Sequence, residues 1–418
     1  MTTSNSFLNC RAKTGFLSVM MLVLFTVPFG WLQGVFLDGF TVAKFSIPLL
    51  FIYIFFIRSG YVLIPSILTY YVLFIIATLP SLLTGVNYLG ILSSFFGYIL
   101  LFILVYNDVT SIQVLRKLLL SYVLGLGIVS FLVSFSYFTG VDFGEKIGRP
   151  FVEVWFGNPI FLGTATNPNG FATLFIVGIP TAFMFFLTVR SYVQKICFAV
   201  LIGVLAFTLV MTLSRSGIAG ALIGCLLLCY YSYYRNIFSM RFFSLTLLVA
   251  VVILSSYSLY FLVLGFISSG EGVNNNRILV NKEVSIENRL VMLENIFSII
   301  ASNPLVGVGY GNLAALFEDK IGLRVGAHNI FFGIAAEYGL IALFFFCAVL
   351  FFSFRMMVNT IAKTVEKTDR LTLGCIFSIL TGLLFHGLFH EIYVNIMLWF
   401  CIAIGAAARR ISDQGNRA

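Results

Sequence analysis

Three ionisable side chains, Arg215, Arg289 and His328, accompany long apolar runs and have the chemistry to bind an anion and move a proton. Arg215 lies between two apolar runs, in the sequence TLSRSGIAG. A guanidinium close to hydrocarbon costs roughly several kcal/mol unless an anion or a hydrogen-bond partner compensates for it. Ser214 and Ser216 flank it at a predicted helix start, which favours contacts with phosphate oxygens. A structural arginine that reaches from a helix end to the membrane surface is the alternative.

His328 opens a predicted helix in the sequence AHN, so its ring would stand at a helix N-terminus beside Asn329. The positive end of the helix dipole disfavours a protonated ring there, and a neutral imidazole can accept a proton as a general base. A capping histidine is the alternative. The chain has three histidines, and the other two, His386 and His390, are predicted at the same face. We interpret His328 as a candidate base, and Asn329, His390 and Glu391 as candidate binding residues.

The longest polar stretch, residues 267–328, contains three further arginines. Arg289 lies on the flank of a predicted amphipathic helix, where an ordinary solvated arginine near Glu287 is the alternative. We interpret Arg289 as a candidate catalytic residue, and Arg277 and Arg324 as candidate binding residues. The stretch has no dense carboxylate cluster and no His/Cys ligand spacing, so a tightly held metal is not predicted.

The composition, with 60% hydrophobic and 10% charged residues, excludes a soluble globular domain. A membrane span needs about 20 apolar residues, so 418 residues accommodate about a dozen spans. The fold class predicted is an all-α integral membrane protein, with residues 1–418 as one polytopic domain. The net charge of +9 does not indicate nucleic-acid binding, because the basic residues mark membrane sidedness. The seven cysteines are scattered and suggest neither disulfides nor a CxxC metal site.

Apolar runs predict about twelve transmembrane helices. The segment 15–57 is crowded and is compatible with two spans or with one span and an interfacial helix. An uncleaved first span is favoured over a cleavable signal peptide, because no convincing cleavage site follows the first run. The predicted spans lie near residues 15–36, 41–57, 61–82, 88–106, 117–138, 168–188, 196–212, 216–234, 242–267, 329–353, 371–388 and 392–408.

The basic residues concentrate in alternate connections, which by the positive-inside rule are cytoplasmic. Both chain ends are then cytoplasmic, and residues 139–167 and 267–328 are extracytoplasmic. The second of these is the predicted periplasmic loop between spans 9 and 10. Ser285 would cap a helix there that ends at Asn303 and Pro304. Its apolar positions recur at helical spacing and would lie on the membrane or on the span bundle: Ile286, Leu290, Leu293, Phe297 and Ile300. A second short helix is predicted near Asn312–Lys320, after the glycine-rich turn GVGYGN.

Three segments together resemble the O-antigen ligase and polymerase family. They are SRSG at 214–217, ENRLVMLENIFSIIASNPLVGVGYGN at 287–312 and AHNIFFGIAAEYGLIALFFF at 327–346. Their order and spacing also resemble that family, over about residues 165–350.

The resemblance implies an inverting, metal-independent glycosyltransferase of the bacterial inner membrane, without a cofactor and with a periplasmic active site. The donor implied is an undecaprenyl-diphosphate-linked oligosaccharide or polysaccharide. Arg215 and Arg289 would hold its diphosphate, and His328 would activate the acceptor hydroxyl. The acceptor implied is a second glycan or lipid A-core, and the expected partners also include a chain-length regulator protein and membrane lipids.

Two questions remain open at the level of sequence. Polymerase is favoured over ligase by the SRSG form, the compact loop and the Phe-, Tyr- and Ile-rich composition, although both activities predict the same site. A transporter or flippase is the alternative of a different class. Transporters place polar sites near the bilayer midplane and often have repeated halves, whereas here the unusual polar residues are predicted at outer helix ends and no repeat is visible.

Overall fold

The computed structural model describes most of the chain in several stretches, and every structural statement below concerns these. Arg277, Arg289 and Arg324 lie outside them, as do Ser285 and the predicted spans 41–57 and 242–267. The described residues are parts of 18–28, and then 63–85, 88–144, 150–155, 158–165, 167–233, 294–321, 326–393 and 395–415.

The described chain is mostly helical, and six of its helices are long and apolar enough to cross a membrane: α3, α4, α5, α6, α8 and α9. The predicted span 168–188 coincides with α4, while α8 continues ten residues past the predicted end at 353. Residues 294–302 are also helical and stop before Pro304, as predicted. The helix bounds are α1 Ser66–Thr84, α2 Tyr88–Asp108, α3 Ile112–Thr139, α4 Pro168–Thr188, α5 Tyr192–Met211, α6 Arg215–Tyr233, α7 Asn312–Ile321, α8 Ile330–Lys363, α9 Lys367–Gly387 and α10 Ile396–Gly415.

A short antiparallel hairpin, absent from the all-α prediction, lies between α3 and α4. It pairs β1 (Val152–Trp155) with β2 (Asn158–Phe161). The carboxylate of Asp142 accepts hydrogen bonds from the backbone N–H groups of Gly144 and Phe151, at 2.7 and 2.9 Å. Each strand has four residues, which is too short for a detectable alternation of apolar and polar side chains.

Glycines set the register between α6 and α9. A Cβ atom on Gly220 would lie 2.7 Å from the carbonyl oxygen of Gly382, and one on Gly382 would lie 2.5 Å from that of Gly220. The two backbones are therefore in direct contact. Because one helical turn is about 3.6 residues, Ser216 and His386, each four residues from this crossing, face each other at the helix ends.

Helix α8 is broken at Gly339, which has φ 86° and ψ 172°. The turn after the 294–302 helix docks into this break: Leu340 N donates to Pro304 O at 2.8 Å, and Gly309 N donates to Glu337 O at 3.0 Å. The turn also contacts α1, since Asn312 Nδ2 donates to Thr84 O at 3.0 Å. The docked turn therefore satisfies the backbone groups that a continuous helix would have paired internally.

Of the predicted apolar stripe, Ile300 in the 294–302 helix packs against a buried cluster that also contains Leu313 and Phe317. Ile296 and Ile299 are buried against α7, whereas Phe297 is 56% exposed and only its edge packs on Phe332. The helix therefore buries one flank of the predicted stripe and leaves Phe297 exposed.

An aromatic cluster around Trp399 joins α1, α8 and α10. The Trp399 ring lies 4.2 Å from Tyr71 and 6.2 Å from Phe346, between ring centroids. Its indole N–H donates to Tyr393 O at 2.7 Å, so the polar atom of this buried ring is satisfied. The cluster fixes the start of α10 and, with it, the segment 388–395 that follows α9.

Candidate active site at one end of the bundle

The N-terminal ends of α4, α6 and α8 and the C-terminal end of α9 meet at one end of the bundle. Three side-chain contacts show this. Ser214 Oγ donates to Asn169 Oδ1 at 2.7 Å, Ser216 Oγ lies 2.9 Å from His386 Nδ1, and Asn329 Nδ2 donates to Leu388 O at 3.0 Å. The segments around residues 215 and 328, which are predicted from the sequence to be functional, therefore belong to one surface.

Arg215 is the first residue of α6 and is exposed. Ser214 directly before it is buried, and its hydroxyl accepts from Gly217 N at 3.3 Å while donating to Asn169. The Ser214 hydroxyl is thus used inside the protein, where it ties α6 to α4. These contacts fix the position at which the Arg215 side chain leaves the helix.

The backbone is strained at both selected segments. Leu213 has φ 55° and His328 has φ 47°, and they are the only non-glycine residues with positive φ in the described part of the chain. A side chain in this left-handed region costs about 1–2 kcal/mol. Such strain persists where surrounding contacts enforce it, and it is common at active sites.

His328 is exposed and lies directly before the residue that caps α8. Asn329 Oδ1 accepts from the N–H groups of Phe331 and Phe332, at 2.9 and 3.0 Å. Because both ends of the Asn329 amide are engaged within the protein, this residue holds the helix start in place. His328 is therefore exposed at the surface of the site.

The other two histidines lie behind His328. The rings of His386 and His390 are 5.4 Å apart, between centroids. His386 is fully buried, while His390 is partly buried and close enough to His328 to be influenced by its charge. Burial, and then the charge of His328, lower the pKa of His390 to about 4, so this ring is neutral near pH 7.

Glu391 supports the segment that carries His328. Its carboxylate receives hydrogen bonds from the backbone N–H groups of Ala327 and His328. A Cβ atom on Gly326 would lie 2.5 Å from Glu391 Oε1, so only glycine fits there. Burial raises the pKa of Glu391, and the two backbone donors oppose that increase. The contacts of this carboxylate are those of a positioning group.

A second buried carboxylate, Glu337, closes the break in α8. Tyr393 Oη donates to Glu337 Oε2 at 2.6 Å, and Gly311 N donates to Oε1 at 3.0 Å. A carboxylate inside an apolar helix needs a hydrogen-bond partner, and Tyr393 is that partner for Glu337. The glycines of the turn GVGYGN serve the close approach to α8, since a Cβ atom on Gly307 would lie 2.5 Å from the Glu337 carbonyl oxygen.

The described residues thus bring seven of the predicted site residues to one end of the bundle. Among the described residues, no group of three His, Cys, Asp or Glu side chains is arranged to hold a metal ion. His386 was not among the predicted site residues, although its i, i+4 spacing from His390 was a signal for it. The seven predicted residues are Ser214, Arg215, Ser216, His328, Asn329, His390 and Glu391.

Comparison with known proteins agrees with the family resemblance. Residues 198–347 match a family model described as O-antigen ligase. The matched range includes both strained segments and ends within α8, whereas His386, His390 and Glu391 lie beyond it. No curated protein matches the chain. The chain is a mostly helical, multi-pass membrane protein, and the match over 198–347 supports its assignment to the O-antigen ligase and polymerase family.

Proposed function

We propose that this protein is a glycosyltransferase that uses an undecaprenyl-diphosphate-linked glycan as donor at the periplasmic face of the bacterial inner membrane. One observation carries the proposal: the segments 214–217 and 327–329 both contact the C-terminal end of α9, through Ser216 Oγ with His386 Nδ1 at 2.9 Å and Asn329 Nδ2 with Leu388 O at 3.0 Å. A cation, a strained histidine and hydroxyl groups are thereby collected at helix N-termini, where anions are favoured.

The opposite end of the bundle supports the proposed orientation in the membrane. Arg116 donates there to Thr188 Oγ1 at 2.8 Å, and Arg410 donates to Val109 O at 2.6 Å. Basic residues cluster on the cytoplasmic side of membrane proteins. The end that holds His328 is therefore assigned to the periplasm, within a single domain of twelve spans whose two chain ends are cytoplasmic.

The chemistry proposed is an inverting displacement. The acceptor hydroxyl attacks the anomeric carbon from the face opposite the diphosphate, and the His328 ring accepts its proton. Arg215, with Arg289 from the periplasmic loop 267–328, stabilises the charge that develops on the leaving diphosphate. The arginines supply the positive charge for this step, so the transfer needs no metal ion.

The acceptor separates two activities. A polymerase adds the glycan to a second lipid-linked repeat, and a chain-length regulator protein would then act with it. A ligase transfers the glycan to lipid A-core. We propose polymerase activity from the SRSG form and the compact loop, and the description of the matching family favours ligase as the second candidate.

A polysaccharide gel profile of a deletion strain distinguishes the candidates. The strain is complemented with the wild-type gene or with His328→Ala, and membrane insertion of each protein is checked by immunoblot. Core bearing a single repeat in the deletion strain indicates a polymerase, and bare core with polymer retained on the lipid carrier indicates a ligase. An unchanged lipopolysaccharide ladder points instead to a capsule or exopolysaccharide polymerase, or to a transporter. His328→Ala is expected to restore nothing.

A further inference from the structure

His386 has no part in the chemistry proposed above, yet its position is unusual. The side chain is fully buried, and its Nε2 atom has no hydrogen-bond partner among the described residues. The backbone of Asn169 lies near the ring without forming a bond of acceptable geometry to Nε2. A buried polar atom without a partner has lost its hydrogen bonds to water and therefore destabilises the fold. An aliphatic side chain would avoid that cost, so the imidazole needs another explanation.

The neighbours of His386 are also polar or ionisable. Its Nδ1 lies 2.9 Å from Ser216 Oγ, and its ring lies 5.4 Å from that of His390. The charge of His328 in turn acts on His390 and lowers its pKa. The four residues make a row that begins at the exposed His328 and ends at Ser216, directly beside the exposed Arg215. A buried ring thus connects two groups that a substrate can reach.

We infer that His328, His390, His386 and Ser216 form a proton path from the acceptor hydroxyl to the departing diphosphate. The inference rests on the proposed function, because it assumes that the acceptor lies at His328 and the diphosphate at Arg215.

The bonds and protons balance as follows. The acceptor oxygen bonds to the anomeric carbon and loses its proton to His328. The bond from that carbon to the diphosphate oxygen breaks, and its electron pair stays on the oxygen. The reaction then leaves a proton on His328 and an additional negative charge on the diphosphate near Arg215. Passage of the proton along the row neutralises both and returns His328 to its basic form.

The chemistry of imidazole suits this transfer. A neutral ring has one donor and one acceptor nitrogen, so it can accept a proton on one side and release a proton from the other. The unpartnered Nε2 of His386 is available for this purpose, and ring rotation or one water molecule completes the link to His390. The charged groups that face the row are Arg215 at one end and Glu391 at the other.

Rapid-mixing kinetics with His386→Gln tests the path. The probe is the lipid-linked glycan fraction extracted from the deletion strain, with purified protein in detergent. Glutamine can still bond to Ser216, but it cannot relay a proton. We expect the first turnover to proceed at the wild-type rate, because His328 still accepts the first proton. Later turnovers should be about tenfold slower or more, and added imidazole buffer should restore them.

A matched control lies in the same helix. Ser378 is buried two turns away, and its hydroxyl donates to Gly374 O at 2.7 Å within α9. Ser378→Ala should leave both kinetic phases unchanged. His390→Gln provides a second test of the path, with the same burst expected, if His386→Gln does not fold.

The outcomes separate the path from the proposed function. An equal slowing of the first and later turnovers, or a slow phase that added imidazole does not accelerate, would overturn the path. Turnover by His328→Ala at the wild-type rate would instead overturn the proposed function. Loss of the first turnover in His328→Ala together with unchanged kinetics in His386→Gln would reject the path alone.

Discussion

The two ends of the helix bundle use their cations in different ways. At one end, the Arg116 guanidinium donates to Thr188 and Thr372, at 2.8 and 3.1 Å, and lies over the Phe185 ring. The carboxylates of Glu366 and Asp369 are close to it. The protein itself supplies the partners of this arginine, so its role is to join α3, α4 and α9.

At the other end, Arg215 is exposed at a helix start, and the next residue, Ser216, contacts the first of two adjacent histidine rings. The contacts there involve serine hydroxyls, a strained histidine backbone and buried carboxylates that hold backbone N–H groups. The number of basic residues therefore does not identify the site. What distinguishes the site is that its polar groups are positioned by the fold and still presented outward.

Substitutions of Arg215 and Arg116 should differ most in their effect on glycan transfer. Arg215→Ala should reduce glycan transfer about 100-fold or more, because a cation near the leaving group is lost. Arg116→Met should lower the stability of the purified protein by about 1–3 kcal/mol, because its hydrogen bonds within the protein are lost. Transfer per folded molecule should then stay near the wild-type value. Transfer assays and thermal unfolding in the same detergent measure the two effects. Equal losses of transfer in the two variants would show that the two arginines do not differ in role.

A glycine at the α6–α9 crossing should come next in effect. The Cβ atom of Gly382→Ala would lie 2.5 Å from the carbonyl oxygen of Gly220, so the helices must separate. We expect a loss of about 1–3 kcal/mol in stability from overpacking. Transfer should fall about tenfold, because Ser216 and His386 lose their alignment.

The control for that substitution is Gly203→Ala in α5, where an added Cβ atom meets nothing within 4 Å. Alanine favours a helix over glycine by up to about 1 kcal/mol, so this variant should be unchanged or slightly more stable. If Gly382→Ala behaved like Gly203→Ala, the two helices would not be in the contact described here.

The smallest effect expected is a pH dependence at the histidine end. The pKa of His390 is lowered to about 4 in the folded protein, whereas an unfolded histidine titrates near ~6.5. The folded state therefore binds fewer protons in this window, and its stability decreases as the pH falls from about 6.5 toward about 4.

Substitution of His390 should remove that component. Thermal unfolding of His390→Asn should depend less on pH than wild type between pH 7 and pH 5, by on the order of 1 kcal/mol. The same variant should be indistinguishable from wild type in its pH dependence above pH 7. Identical slopes for the two proteins between pH 7 and pH 5 would show that this ring is protonated as readily in the folded state as in the unfolded state.

Much of the fold could be predicted from the sequence, because length and hydropathy decide which segments can cross a membrane. Helix α4 is an example, since it coincides with the predicted span 168–188 and begins after Asn167, whose Oδ1 accepts from Gly170 N at 2.6 Å. The break of α8 at Gly339 could not be predicted, because the run around it reads as one continuous apolar helix. The break exists only because a distant turn supplies its hydrogen bonds.

The same distinction applies to the site. Arg215 and His328 could be selected from their residue types and their places beside apolar runs. The role of His386 could not, because its contact with Ser216 depends on two glycines far apart in the sequence, Gly220 and Gly382. A register between distant helices leaves no local pattern, so the contact is visible only in three dimensions.

Glycosyl transfer at this end of the bundle, with His328 as base, can be measured in an assay with purified protein. Wild type and His328→Ala are incubated with the lipid-linked glycan fraction extracted from the deletion strain, with a metal chelator present, and the products are separated by size. We expect elongated or transferred glycan from the wild type, and at least about 100-fold less from His328→Ala at equal folded protein. Product from His328→Ala at the wild-type rate would show that His328 is not the base in this transfer.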